Sequence, residues 1–193
     1  MGIGVLILGL LIFLGTHAFV SFRDARGAVV ARVGLPVYRA AFALASLAGL
    51  ALIVWGYGQY RAHEWIQVWS PPGFMRHITI GLMLFAVIFV VATFIPSHIK
   101  TRLKHPMLAG VKTWAFAHLL SNGDLGSILL FGGFLAWGVY ARIAAKNRKD
   151  VGPTTAPDGW TNDAIVVGIG IVVYLALGYV FHPVVIGVPV FGS

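Results

Sequence analysis

The chain has 193 residues, of which 59% are hydrophobic and 10% charged, with a formal net charge of +8. A soluble domain carries about a quarter charged residues, so this composition, with a mean hydropathy of +0.87, excludes an ordinary water-soluble fold and indicates a polytopic membrane protein. The absence of cysteine excludes disulfides, iron–sulfur clusters and thiolate metal sites, and the 24 glycines suit close helix packing in lipid.

A helix rising about 1.5 Å per residue needs roughly twenty apolar residues to cross a bilayer. By that measure the sequence predicts six spans: Gly2–Phe22, Val37–Gly58, His77–Ile95, Pro106–Leu120, Leu125–Ile143 and Asp163–Val180. The expected fold is an all-α, six-span transmembrane helical bundle forming a single domain, residues 1–193. The first span has no basic stretch before it, and Arg23 and Arg26 follow it, so it reads as an uncleaved helix with its N-terminus outside. The fourth span is short and is expected to lie enclosed at the centre of the bundle. Ser121-Asn122-Gly123-Asp124 is a tight polar turn that joins it to the fifth as an antiparallel hairpin. Asn147–Asn162, with Gly152-Pro153 and Ala156-Pro157-Asp158-Gly159, reads as a flexible inner connection, and Trp65, Trp69, Trp137 and Trp160 read as aromatic anchors at the interfaces.

Basic residues set the orientation. With the N-terminus outside, the inner ends hold Arg23, Arg26, Arg32 and Arg39, then Lys100, Arg102 and Lys104, then Arg142, Lys146, Arg148 and Lys149. Only Arg61 and Arg76 lie outside, and Lys112 falls within a span. For a bacterial host this places the protein in the inner (cytoplasmic) membrane with both termini periplasmic. The same distribution assigns the positive charge to membrane lipid headgroups, and no nucleic acid partner is expected.

Chemistry concentrates between Lys104 and Asp124, a stretch that is apolar yet carries His105, Lys112, His118, Asn122 and Asp124. Ionisable groups at membrane depth are costly and face a bundle interior, a partner or a ligand. Met107, Val111, Trp114, His118 and Asn122 follow a spacing that makes one helix face, whereas Lys112 shares another with His105. Of the seven histidines, His63, His77 and His182 fall toward the outer side and His98 and His105 flank the inner loop. His17 and His118 lie inside spans. An imidazole there is satisfied by one interhelical hydrogen bond, or it ligates haem iron. Axial positions on one haem lie about 13 Å apart between backbones, while helix register offsets His17 and His118 by roughly 10 Å in depth, which an oblique ring or a tilted helix accommodates. Lys104-His105-Pro106 opens a helix whose N-terminus suits a carboxylate or a propionate, or it is an interfacial boundary with snorkelling side chains. Asp24, Glu64, Asp124, Asp150, Asp158 and Asp163 are the only carboxylates of the side chains, none at mid-span. A proton relay or a carboxylate-rich metal site is therefore not expected, and no catalytic triad, phosphate loop or dinucleotide fingerprint is present.

Four segments carry a resemblance. The opening Leu6-Ile7-Leu8-Gly9-Leu10-Leu11-Ile12-Phe13-Leu14-Gly15-Thr16-His17 resembles the start of the NnrU family, as do the stretch Leu103–Asp124, the stretch Leu129–Trp137 and the closing Phe181-His182-Pro183-Val184-Val185-Ile186-Gly187-Val188. NnrU proteins are inner-membrane proteins linked to denitrification. The plant and cyanobacterial 15-cis-ζ-carotene isomerase, a haem-b membrane enzyme that isomerises a central double bond, is a relative. The resemblance therefore implies haem b as cofactor with His17 and His118 as axial metal ligands. It further implies contacts to the haem from His105, Lys112 and Asn122, and a pocket lined by Thr16 and Trp114. An apolar polyene substrate would lie against Phe13, Phe116, Phe131 and Phe134. The isomerase has a cysteine three residues before its helix-four histidine, where this chain has Ala115, which speaks against redox-gated ligand exchange.

A second likeness is to the Arg-His-Pro-x-Tyr-x-Gly element with which isoprenylcysteine and phospholipid methyltransferases hold S-adenosylmethionine. Here Lys104-His105-Pro106 is followed by Leu108 and Gly110, and the paired glutamates of those enzymes are missing. The expected function is haem-dependent polyene cis–trans isomerisation, or a redox or sensing role in nitrogen-oxide metabolism. The alternatives are a cofactor-free membrane assembly or regulatory partner and a degenerate methyltransferase-like protein.

Overall fold

A computed structural model describes residues 1–191. Its regular structure is helical: α1 (Gly2–Phe19), α2 (Arg23–Val33), α3 (Leu35–His63), α4 (Met75–Ala92), α5 (His98–Leu103), α6 (Pro106–Ser121), α7 (Leu125–Asn147) and α8 (Thr161–Ala176), which continues as a π-helical segment, Leu177–Ile186. Among the described residues there is no strand, only an isolated bridge between Gln67 and Asp124. Five helices are long and apolar enough to cross a membrane: α1, α3, α4, α7 and the continuous run Thr161–Ile186. The expected fourth span forms as α6, but its 16 residues reach about 24 Å, short of the roughly 30 Å of a hydrocarbon core. Two further helices stand where loops were expected. The charged α2 buries none of its residues, and α5 has only six residues.

The chain forms two compact units that interleave in sequence, Met1–Ser70 with Asn122–Ala144, and Pro71–Ser121 with Ala145 onward. In the first unit, α1 and α3 run antiparallel in direct backbone contact, because glycines meet backbone at seven-residue intervals. A Cβ on Gly9 would stand 2.6 Å from the Ile53 nitrogen, and one on Gly49 would stand 2.8 Å from the Phe13 nitrogen. Gly2 and Gly56 meet Tyr60 and Leu6 more closely still. Small residues permit such approach where lipid offers no hydrophobic drive between helices. Leu6 and Tyr60 are fully buried at this seam.

Polar groups close the same unit at the start of α1. Glu64 accepts from the backbone nitrogens of Gly2 at 2.7 Å and Ile3 at 3.1 Å, and also holds the Met1 amino group. A carboxylate there satisfies free N–H groups and the positive end of the α1 dipole. The Tyr60 hydroxyl bonds both the nitrogen and the carbonyl of Ile66. The loop after α3 is pinned to the turn before α7, where Val68 and Trp69 donate to the Gly123 carbonyl and Leu125 donates to that of Ile66. Asp124, 1% exposed, caps α7 by accepting from the Ser127 nitrogen at 2.9 Å. Asn122 and Gly123 lie outside any helix between the end of α6 and Asp124.

The second unit is centred on α4, which carries α6 on one side and α8 on another. A Cβ on Gly110 would meet Val90 at 2.7 Å and one on Gly170 would meet Ile88 at the same distance. Ile88, Ala92 and Val166 form the core. The connection after α7 has no regular structure over residues 151–157 and makes hydrogen bonds within this unit. His105 Nε2 donates to the Asp150 carbonyl at 3.1 Å, Thr101 reaches the Thr155 carbonyl at 3.3 Å, and Asn162 donates to that of Pro96 at 2.8 Å. Gly152, at φ +66°, lies directly against the Lys104 carbonyl, where any side chain would collide.

Asp163 organises the start of α5. Its carboxylate accepts from the nitrogens of His98 at 3.2 Å and Ile99 at 2.9 Å and from His98 Nδ1 at 2.8 Å, and Trp160 stacks on that imidazole at 4.2 Å. Hydrogen bonds to a charged group contribute roughly 1.5–3 kcal/mol each. Asp163→Ala is expected to release α5, seen as loss of hydrogen-exchange protection at His98 and Ile99 while the α1 amides keep theirs.

Candidate functional site

His118 stands three residues before the end of α6. Its Nδ1 lies 2.9 Å from the Trp114 carbonyl of its own helix. A carbonyl only accepts, so Nδ1 carries the proton and the lone pair resides on Nε2, the tautomer of a metal-ligating histidine. The Trp114 ring stands 5.5 Å from the imidazole. Thr79 Oγ1 donates to the Ala117 carbonyl at 2.8 Å, fixing α6 to α4 one residue before His118. A second imidazole faces it, since the His182 ring centre is 6.3 Å away with its plane inclined by 25°.

His182 belongs to the π-helical segment and precedes Pro183. Its Nδ1 is buried without a hydrogen-bond partner among the described residues. His182 lies beyond Val180, the expected end of the last span. The helical run in fact continues to Ile186. The signal available in the sequence was its place in the closing Phe181-His182-Pro183 segment.

His17 lies in the first unit and is half-buried. Its Nδ1 donates to the Phe13 carbonyl at 2.7 Å, which again leaves the lone pair on Nε2. The imidazole stacks on Phe13 at 4.3 Å and meets the edges of Phe42 at 5.2 Å and Trp137 at 5.8 Å. Trp137 Nε1 is buried without a hydrogen-bond partner among the described residues, whereas Trp65, Trp69 and Trp160 are exposed. An open apolar groove borders it, lined by Leu14, Ala18, Phe22, Ala136, Trp137 and Tyr140. The Thr16 hydroxyl turns back to the Ile12 carbonyl at 2.6 Å.

The other expected site residues are dispersed. His105 spends its Nε2 proton on Asp150, Lys112 is half-buried on α6, and Asn122 lies one residue beyond the end of that helix. Phe13 and Phe134 adjoin at 5.6 Å and Phe131 is buried, whereas Phe116 is 47% exposed. No group of three or more histidine, aspartate or glutamate side chains among the described residues is placed to hold a bare metal ion. The imidazoles can instead serve a metal whose remaining ligands come with it.

No curated protein and no solved structure matches the chain. A family model described as NnrU protein matches residues 5–190, nearly the whole chain, which belongs to the NnrU family.

Proposed function

We propose that the protein binds haem b within the membrane, with His118 as one axial ligand and a second histidine opposite, His17 on the sequence reading. The observation that carries this is the His118 tautomer, which directs the lone pair to Nε2 while the Trp114 carbonyl orients the ring. Haem suits the donor set because its porphyrin fills four positions on iron, so one or two imidazoles suffice where a bare ion takes three or four protein ligands. When bound, haem would supply a redox-active iron. The chain would contribute ring orientation through the Trp114 carbonyl, and in the first unit the open apolar groove beside Trp137 is the surface proposed for a polyene. Family membership supports a setting in nitrogen-oxide metabolism and the inner membrane. The proposed topology has six crossings, α6 included as a short enclosed one, with both termini periplasmic.

Absorption spectra of the detergent-purified protein from haem-replete cells, oxidised and dithionite-reduced, test the reading. A Soret band with resolved α and β bands on reduction is the expected result. A protein that stays colourless after hemin is added overturns it, and leaves the histidines as groups that hold helices together in a membrane partner protein.

A further inference from the structure

We propose that Arg148, where α7 gives way to the connection that follows, is the centre of an oxyanion site that takes a phosphate group, independently of the haem reading above. Nε and Nη1 of its guanidinium are buried and have no hydrogen-bond partner among the described residues. The N–H donors on both atoms are thereby left unmet. A buried histidine or lysine escapes such a cost by losing its proton, but a guanidinium keeps its charge. Only an acceptor brought to it removes the penalty, and an anionic acceptor does so best. The carboxylate nearest in sequence is that of Asp150, whose Oδ1 accepts instead from the Gly152 nitrogen at 3.2 Å.

The backbone at this corner holds further cations in costly conformations. Lys104 at φ +64° and Lys149 at φ +57° are the non-glycine residues of positive φ among those described. Lys149 closes the end of α7, its nitrogen returning to the Lys146 carbonyl at 2.9 Å and that of Asp150 to the Ala145 carbonyl at 3.0 Å, a closure that usually takes glycine. Lys104 is the middle of a tight turn in which the His105 nitrogen donates to the Leu103 carbonyl at 2.7 Å, a strained form when φ is positive. Strained residues of this kind gather at ligand clamps. The two strained segments are joined, since His105 Nε2 donates to the Asp150 carbonyl at 3.1 Å and Gly152 packs on the Lys104 carbonyl. Arg148 thus lies just before a residue bonded to His105, with Lys146 and Lys149 flanking it in sequence. A phosphate suits this set better than a carboxylate, because its oxygens accept from several directions and its charge answers more than one cation. Such a phosphate belongs to an anionic lipid headgroup or to a soluble compound.

The test follows thermal unfolding of the full-length, delipidated protein in neutral detergent. The probes are inorganic phosphate and mixed micelles of phosphatidylglycerol, with phosphatidylcholine micelles as the baseline. Wild type is expected to melt higher by about 5 °C or more with probe about a hundredfold above its dissociation constant. Arg148→Met keeps an apolar stem and removes the buried charge. It is expected to melt above wild type without probe and to shift by less than about 1 °C with it. Arg32→Met, which removes an exposed arginine, controls for net charge and is expected to shift as wild type does. If Arg148→Met does not fold, judged by gel filtration and helical circular dichroism, Arg148→Gln is read in its place. A wild-type shift with phosphatidylglycerol alone assigns the phosphate to lipid, and one that inorganic phosphate also produces assigns it to a soluble compound. No shift in wild type with either probe, or equal shifts in wild type and the Arg148 variant, overturns the proposal.

Discussion

His118→Ala is expected to lower bound haem by at least about tenfold, since even the groups that orient a metal ligand are worth about 10–100-fold in affinity. The variant should still insert and fold. The α6 helix is held to α4 by the Thr79–Ala117 bond and by Gly110 against Val90, and neither contact uses the imidazole. Haem-to-protein ratio and thermal stability of the apoprotein, measured on the same preparation, separate the two roles. Loss of haem with an unchanged apoprotein melting temperature assigns His118 to the cofactor. An unchanged ratio sinks the ligand assignment, and a fall in apoprotein stability alone makes His118 a packing residue.

The largest effect on stability is expected at the α1–α3 seam. In Gly9→Leu the first side-chain carbon would already stand 2.6 Å from the Ile53 nitrogen, and backbone cannot retreat as a flexible side chain can. Forcing carbon into a close-packed contact costs typically 1–3 kcal/mol, and this site belongs at the upper end. For a chain of this size that corresponds to a melting temperature lower by about 6–12 °C. Gly4→Leu and Gly15→Leu are the internal controls, because nothing lies within 4 Å of a Cβ at either position. Equal losses at Gly4 and Gly9 would refute the backbone-contact account.

The helices α1, α3, α4, α7 and α8 were legible because each is an apolar run, and the break between α6 and α7 was legible from the polar residues Asn122, Gly123 and Asp124. α2 was not, since Arg23-Asp24-Ala25-Arg26 has the charge of a loop and its helix buries nothing to leave an apolar stripe. Glu64 at the start of α1 and Asp163 at the start of α5 join positions 62 and 65 residues apart, and one sequence contains no sign of such pairings. His118 was legible as an ionisable group on an apolar face. The last span was expected to end at Val180. Pro183 lacks an N–H, yet the wider turn around it carries the helix three residues further.

The interleaving of the two compact units bears on how the chain is made. Residues 1–70 can pair α1 with α3 as soon as they leave the ribosome, but the rest of their unit, residues 122–144, is synthesised only after α4, α5 and α6. The Tyr60 ring therefore waits for Gly126, against which it finally lies, while a whole second set of helices enters the membrane. No single cut yields either unit intact. A truncation after Ser70 strands the first without its closing helix, and one after Ala144 strands the second without its last.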